Sequence, residues 1–93
     1  MTLLEIFKSI YSQEFDDLKT IYAKKPWSLE SDAVIEDDPE NCLVPPHLAE
    51  QGYDYFIEVF IALEFDEGVK QMTPSPTIDQ RCQRLIEYAT YDA

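Results

Sequence analysis

Leu4, Phe7, Tyr11, Phe15, Leu18 and Tyr22 recur at spacings of three and four residues, and Leu3, Ile10 and Ile21 widen the stripe. This spacing predicts an amphipathic helix. Thr2 followed by Glu5 gives the T-x-x-E pattern of a capping box, which places the helix start near Leu3. Lys24 and Lys25 suit the negative end of the helix dipole, and Pro26 stops the run. The expectation is one helix of about six turns.

The pattern changes at Pro26. From there to Gly52 it is irregular and contains Pro39, Pro45 and Pro46, which predicts a long loop with at most a short strand near Val34 or Leu43. Trp27 is expected to pin the start of this loop. Pro46 to Gln51 fits one helical turn closed by Gly52.

From Tyr53 to Phe65 every odd position is apolar, and Asp54, Glu58 and Glu64 fall on even ones, which is the strand signature. Asp66-Glu67-Gly68 then reads as a hairpin loop, with residues 69–72 as the returning strand. Tyr53, Phe56, Ile57, Phe60 and Ile61 also fit one face of a helix, but the aromatic and β-branched content favours the strand. Thr77 and Gln80 form a second capping box ahead of a stripe of Ile78, Cys82, Leu85, Ile86 and Ala89. The plan is helix, acidic loop, β-hairpin, helix: an α+β fold in one domain spanning residues 1–93.

Composition adds an electrostatic constraint. The 93 residues carry 19 acids against 7 bases, a net charge of −12, while 45 % hydrophobic content is sufficient for a folded core. Solubility needs a net charge of only about 2 to 8 in magnitude, and a larger excess costs stability through self-repulsion. Binding to DNA, RNA or an anionic membrane is disfavoured, since their phosphates repel such a chain. The partner this charge fits is a basic protein.

The charge is also unevenly placed. Between Lys25 and Lys70 lie 44 positions without Lys or Arg, and they hold Glu30, Asp32, Glu36, Asp37, Asp38, Glu40, Glu50, Asp54, Glu58, Glu64, Asp66 and Glu67. The flanks balance, with four acids and four bases in residues 1–25 and three of each in residues 70–93. A merely solvated face usually mixes signs to relieve repulsion, so the segment reads as negative surface kept for a partner. The candidate partner-binding residues are these acids, Glu50 set aside: Glu30 to Glu40 in the loop, then Asp54, Glu58, Glu64, Asp66 and Glu67.

Catalytic and metal chemistry find little support. Paired-carboxylate catalysis needs one acid singled out by a raised pKa in a cleft, and no pair stands out here. His47 is the only histidine and accompanies neither a nucleophile motif nor a Gly-rich phosphate loop. Cys42 and His47 with Cys82 give three possible zinc ligands where structural sites normally have four. Glu36-Asp37-Asp38-Pro39-Glu40 lacks the glycine and ligand order of a calcium loop. The reading is a non-enzyme without cofactor or metal. No apolar run approaches the roughly 20 residues that span a bilayer, and no secretory leader pattern opens the chain, so a cytoplasmic setting with reduced thiols is expected.

The acidic middle, neutral flanks, length and Met1-Thr2-Leu3-Leu4-Glu5 opening resemble the anti-restriction nuclease (Arn) proteins of T-even bacteriophages. The resemblance implies a dimeric DNA mimic acting in the cytoplasm of an infected bacterium. It points to the modification-dependent restriction endonuclease McrBC and the nucleoid protein H-NS as partners, and it transfers no catalytic residue. Duplex DNA carries one negative charge per roughly 1.7 Å of axis, so twelve carboxylates stand in for roughly 20 Å of it.

Two other readings fit the same composition. An immunity- or antitoxin-type inhibitor would plug one basic nuclease with acids and aromatic anchors concentrated in one patch. A structural interaction module would bind through its aromatic helix, with the acidity serving solubility. A six-turn aromatic stripe also exceeds what one small core covers, which predicts a homodimer.

Overall fold

Both capping boxes form, and they start the two helices that frame the core. The computed structural model describes residues 1–12, 18–37 and 43–92. At the first helix, the Thr2 N–H donates to Glu5 Oε1 at 2.8 Å and the Glu5 N–H to Thr2 Oγ1 at 3.1 Å. At the last, the Thr77 N–H donates to Gln80 Oε1 at 2.9 Å and the Gln80 N–H to Thr77 Oγ1 at 3.2 Å.

In chain order the elements are α1 (Leu3–Tyr11), β1 (Thr20–Lys24), β2 (Ala33–Glu36), α2 (Pro46–Ala49), β3 (Tyr53–Glu58), α3 (Val59–Lys70) and α4 (Ile78–Asp92). The strands form one antiparallel sheet in the order β2-β1-β3. The class is α+β, as expected. The interior of the plan differs in two places.

First, α1 is not six turns long. It ends at Tyr11, and Thr20–Lys24, expected as its final turns, is the central strand. Thr20, Ile21, Tyr22 and Ala23 are all buried, because β1 is covered on both faces. A strand buried on both faces shows no alternation, so its apolar positions could extend a helical stripe without betraying themselves. Phe15 lies outside the described residues.

Second, the alternating segment is half strand and half helix. β3 stops at Glu58, and Val59 opens α3 while its N–H still donates to Lys19 O at 2.9 Å, closing the ladder with the residue before β1. No hairpin forms at Asp66-Glu67-Gly68, which are the third turn of α3, and residues 69–72 are no strand. The buried residues Val59, Ala62, Asp66 and Val69 follow a helical spacing. Ile61, Leu63 and Phe65 alternate in sequence but are only half-buried.

Among the described residues of 26–52, β2 and α2 replace part of the expected loop. The strand expected near Val34 is β2, whereas Leu43 lies in a bend. Gly52 closes the turn after α2 with φ of 89°, a conformation that favours glycine.

One face of the sheet carries the core. Leu3, Ile6, Phe7 and Ile10 of α1 and Cys82, Leu85, Ile86 and Ala89 of α4 cluster with Ile21, Ala23, Ala33, Phe56 and Ile57. A register shift in β3 sets Ile57 opposite Ile21 and Tyr55 opposite Tyr22, which leaves Phe56 as an extra residue. Such a bulge breaks alternation, and consecutive Phe56 and Ile57 are both buried. On the other face α2 packs against β3, and Tyr22 and Leu48 are buried apart from the main cluster. Of the apolar stripe invoked for a homodimer, Leu3, Phe7, Ile10, Ile21 and Tyr22 are buried and Leu4 is half-buried, while Tyr11 and Leu18 stay exposed.

The beginning of the outer edge of β2 is covered by Met1 and Thr2. Thr2 bridges to Asp32, the Ala33 N–H donates to Met1 O at 2.7 Å, and the Leu3 N–H donates to Ser31 O at 2.9 Å.

Candidate functional site

The described acids of the middle segment sit on strands, helices and hydrogen-bonded turns. Glu30 and Asp32 stand exposed in the turn between β1 and β2, and serines shape that turn. The Ser28 N–H donates to Ser31 Oγ at 2.9 Å, the Ser31 hydroxyl to Pro26 O at 3.0 Å, and the Glu30 N–H to Ser28 Oγ at 3.3 Å. Short polar side chains that bond nearby backbone fix a turn in this way. Trp27 pins the turn's start as expected, donating from Nε1 to Ala23 O at 3.2 Å.

At the opposite end of the sheet, Glu36 and Glu58 both pair with Thr20 in register, one from each neighbouring strand. Directly paired residues share a face, so Glu36 and Glu58 stand on one side with their backbones about 10 Å apart, two strand spacings, and buried Thr20 between them. Glu36 is held by His47 Nε2, at 2.8 and 3.1 Å from its two oxygens, which ties α2 to β2. Asp37 follows and meets Lys19 Nζ at 3.2 Å while staying well exposed. Asp38 and Glu40 lie outside the described residues.

Asp54 is exposed on β3, and Glu64 and Glu67 are exposed on α3, where Glu67 Oε1 meets Lys70 Nζ at 3.1 Å. Among the described residues, Glu30, Asp32, Glu50, Asp54, Glu58 and Glu64 have no ion-pair partner.

Asp66 does not join this surface. Its side chain is 4 % exposed and accepts from Arg81 Nε at 2.8 Å and from Arg81 Nη2 at 2.5 Å. The reason is the helix: the expected hairpin loop would have turned Asp66 outward, whereas α3 places it on the buried stripe with Val59, Ala62 and Val69. A charge there needs a partner with matching geometry, and a guanidinium fork supplies it. The bonded Asp66 carboxylate, first among the causes, holds the Arg81 pKa above its ordinary value.

Four of the seven bases lie over aromatic rings, while Lys8 and Arg84 stay exposed. Arg81 lies over the rings of Tyr11 and Phe7, with its central carbon 4.2 and 5.7 Å from their centroids. Lys70 lies over Tyr11 at 4.7 Å, Lys24 over Tyr53 at 5.0 Å and Lys25 over Trp27 at 5.0 Å. The hydrogen bond to Glu67, then that to Tyr11, raises the Lys70 pKa. The sequence reading missed this part of the arrangement. Only Lys25-Pro26-Trp27 carried a local signal for it; the rings under Lys24, Lys70 and Arg81 come from distant parts of the chain.

Among the described residues no group of three or more His, Cys, Asp or Glu is placed to hold a metal ion, and no helix is long and apolar enough to cross a membrane. Comparison with protein families, with curated proteins and with solved structures finds no match for this chain.

Proposed function

We propose that this protein is an acidic DNA mimic that occupies the DNA-binding surface of a basic partner, a DNA-binding protein or a restriction endonuclease. The observation that carries the reading is the separation of charge. Lys19, Lys70 and Arg81 are paired with carboxylates and Lys24 and Lys25 lie over rings, which leaves Lys8 and Arg84 as the remaining bases, while Glu30, Asp32, Glu50, Asp54, Glu58 and Glu64 have no ion-pair partner among the described residues. A basic partner therefore meets a field that the chain's own cations do little to cancel.

The acids are spread along the molecule, which supports a mimic over a plug. The molecule measures 41 × 24 × 23 Å. A duplex 41 Å long carries roughly 24 phosphates, about twice the net charge of −12. The charge density suits replacement of one face of the duplex, the part that a docked DNA-binding domain touches. No second copy is required. Leu3, Ile6, Phe7 and Ile10 of α1 are buried, which leaves the aromatic-helix reading Tyr11 as the exposed aromatic of that helix.

The test is displacement. Labelled duplex is bound to McrBC or H-NS, the candidates raised by the resemblance, and this protein is titrated in at low and high salt. Release of DNA that weakens steeply with ionic strength is expected. An unchanged DNA-bound fraction for both partners at low salt would reject the proposal.

A further inference from the structure

A groove of about 930 Å³ opens between β3, the last turns of α4 and the turn that follows β1. Trp27, Tyr55, Phe56 and Tyr88 wall it, and Lys25 and Asp54 bring opposite charges to it. The walls are fixed before any ligand arrives. Trp27 is bonded through Nε1 to Ala23 O, and the Phe56 ring meets it edge-on, at 4.9 Å between centroids and 88° between planes. Tyr88 is stacked on Phe65 at 4.7 Å.

The chain itself displays what this wall accepts. Lys25 Nζ stands 5.0 Å from the Trp27 centroid, so a cation already uses the negative face of the indole. Asp54 is exposed and has no ion pair. Apolar rings beside a carboxylate without an ion-pair partner suit a side chain with an aliphatic stem and a cationic head. An anionic ligand would instead meet Asp54 and the field of a −12 chain.

We propose that the groove receives one arginine or lysine side chain of the basic partner, stacked on Trp27 and paired with Asp54, after Lys25 swings off the ring. Arginine is preferred, because its planar, weakly hydrated guanidinium both stacks on an indole and forks to a carboxylate. The proposal rests on the acidic-inhibitor reading and gives it an anchor point. The surface supplies long-range attraction, and the groove fixes where the partner sits.

The probe is a hexa-arginine peptide titrated into the intact chain at low salt. Binding is followed by calorimetry and by the emission of Trp27, the only tryptophan. Binding with a change in that emission is expected. Asp54→Asn is expected to weaken binding roughly two- to fivefold, and Glu50→Gln, the same charge change outside the groove, to weaken it less. Lys25→Ala is expected to strengthen binding more than Lys8→Ala, which removes an equal charge from the exposed face of α1. Thermal melts confirm that each variant is folded. Calorimetric binding with unmoved emission and equal responses within each variant pair would overturn the groove and leave the acidic surface standing. No binding of the peptide at all would overturn both.

Discussion

Asp66 and Arg81 form a two-point ion pair that joins α3 to α4 beneath the rings of α1, with the Asp66 side chain 4 % and the Arg81 side chain 11 % exposed. Removing one member leaves the other charged and without its partner in a site closed to water. Asp66→Ala is therefore expected to cost about 3 to 5 kcal/mol in urea unfolding. Glu64→Gln, on the exposed side of the same helix, is expected to stay within about 0.5 kcal/mol of the parent. Replacing both members with Leu and Met is expected to recover most of the loss, which separates the cost of an orphaned charge from the worth of the pair.

The first capping box carries a pH dependence of known sign. The Thr2 backbone N–H, then its side chain, holds the Glu5 pKa below the usual carboxylate value. A carboxylate depressed on folding adds stability above its unfolded pKa and loses it as pH falls through the folded one. Glu5→Gln keeps an acceptor for the Thr2 N–H but has no charge to titrate. The stability gap between parent and Glu5→Gln should stay constant from neutral pH to about pH 5 and close on further acidification. Urea melts across pH 3 to 7 would read it, and a gap that widens in acid would contradict the assignment.

Cys82 is 1 % exposed in the core, and burial, followed by the Asp79 and Asp66 carboxylates, pushes its thiol pKa up to about 12. It stays protonated and unreactive at neutral pH. In a Cys42→Ser background, labelling by a thiol reagent should proceed no faster than the protein opens. Adding urea should accelerate it in step with unfolding, and rapid labelling of the native protein would mean that the α4 packing is wrong.

Neutralising acids should have consequences that depend on pairing. Glu30→Gln with Asp32→Asn removes two unpaired carboxylates from a well-formed turn. It is expected to weaken partner binding, flatten the salt slope and leave the melting temperature unchanged or slightly higher as repulsion is relieved. Asp37→Asn also releases Lys19, which Asp37 holds at 3.2 Å. Binding constants across a salt series beside thermal melts make the comparison; loss of affinity only through unfolding would mark the charge as a solubility feature.

What the sequence made legible was chemistry acting over a few residues. Thr2 with Glu5, Thr77 with Gln80, Pro46 opening α2 and Gly52 closing it are local contests won by the side chains present. What stayed hidden depended on neighbours distant in sequence. Thr20 to Ala23 are a strand because β2 and β3 flank them, and no periodicity announces that. Val59 to Phe65 alternate in sequence yet form a helix, since α3 buries Val59 and Ala62 against a core built by α1 and α4. The acidic surface was legible as composition, except at Asp66, where the same misreading of α3 turned a buried, paired carboxylate into an exposed one.

The cover that Met1 and Thr2 place over the start of the β2 edge bears on how this chain avoids its own kind. An uncovered edge strand offers a row of backbone groups on which a second molecule can continue the sheet, and repetition of that step leads to fibrils. Here the seal is a single bridge and a few hydrogen bonds, reinforced by an exposed carboxylate at Asp32. A chain shortened by its first two residues would lose the Met1 carbonyl that Ala33 donates to, together with the Thr2 half of the capping box. Charge repulsion would then be the main barrier between neighbouring edges. Such a shortened protein would stay clear in dilute buffer and turn to aggregate in high salt, where that barrier is screened.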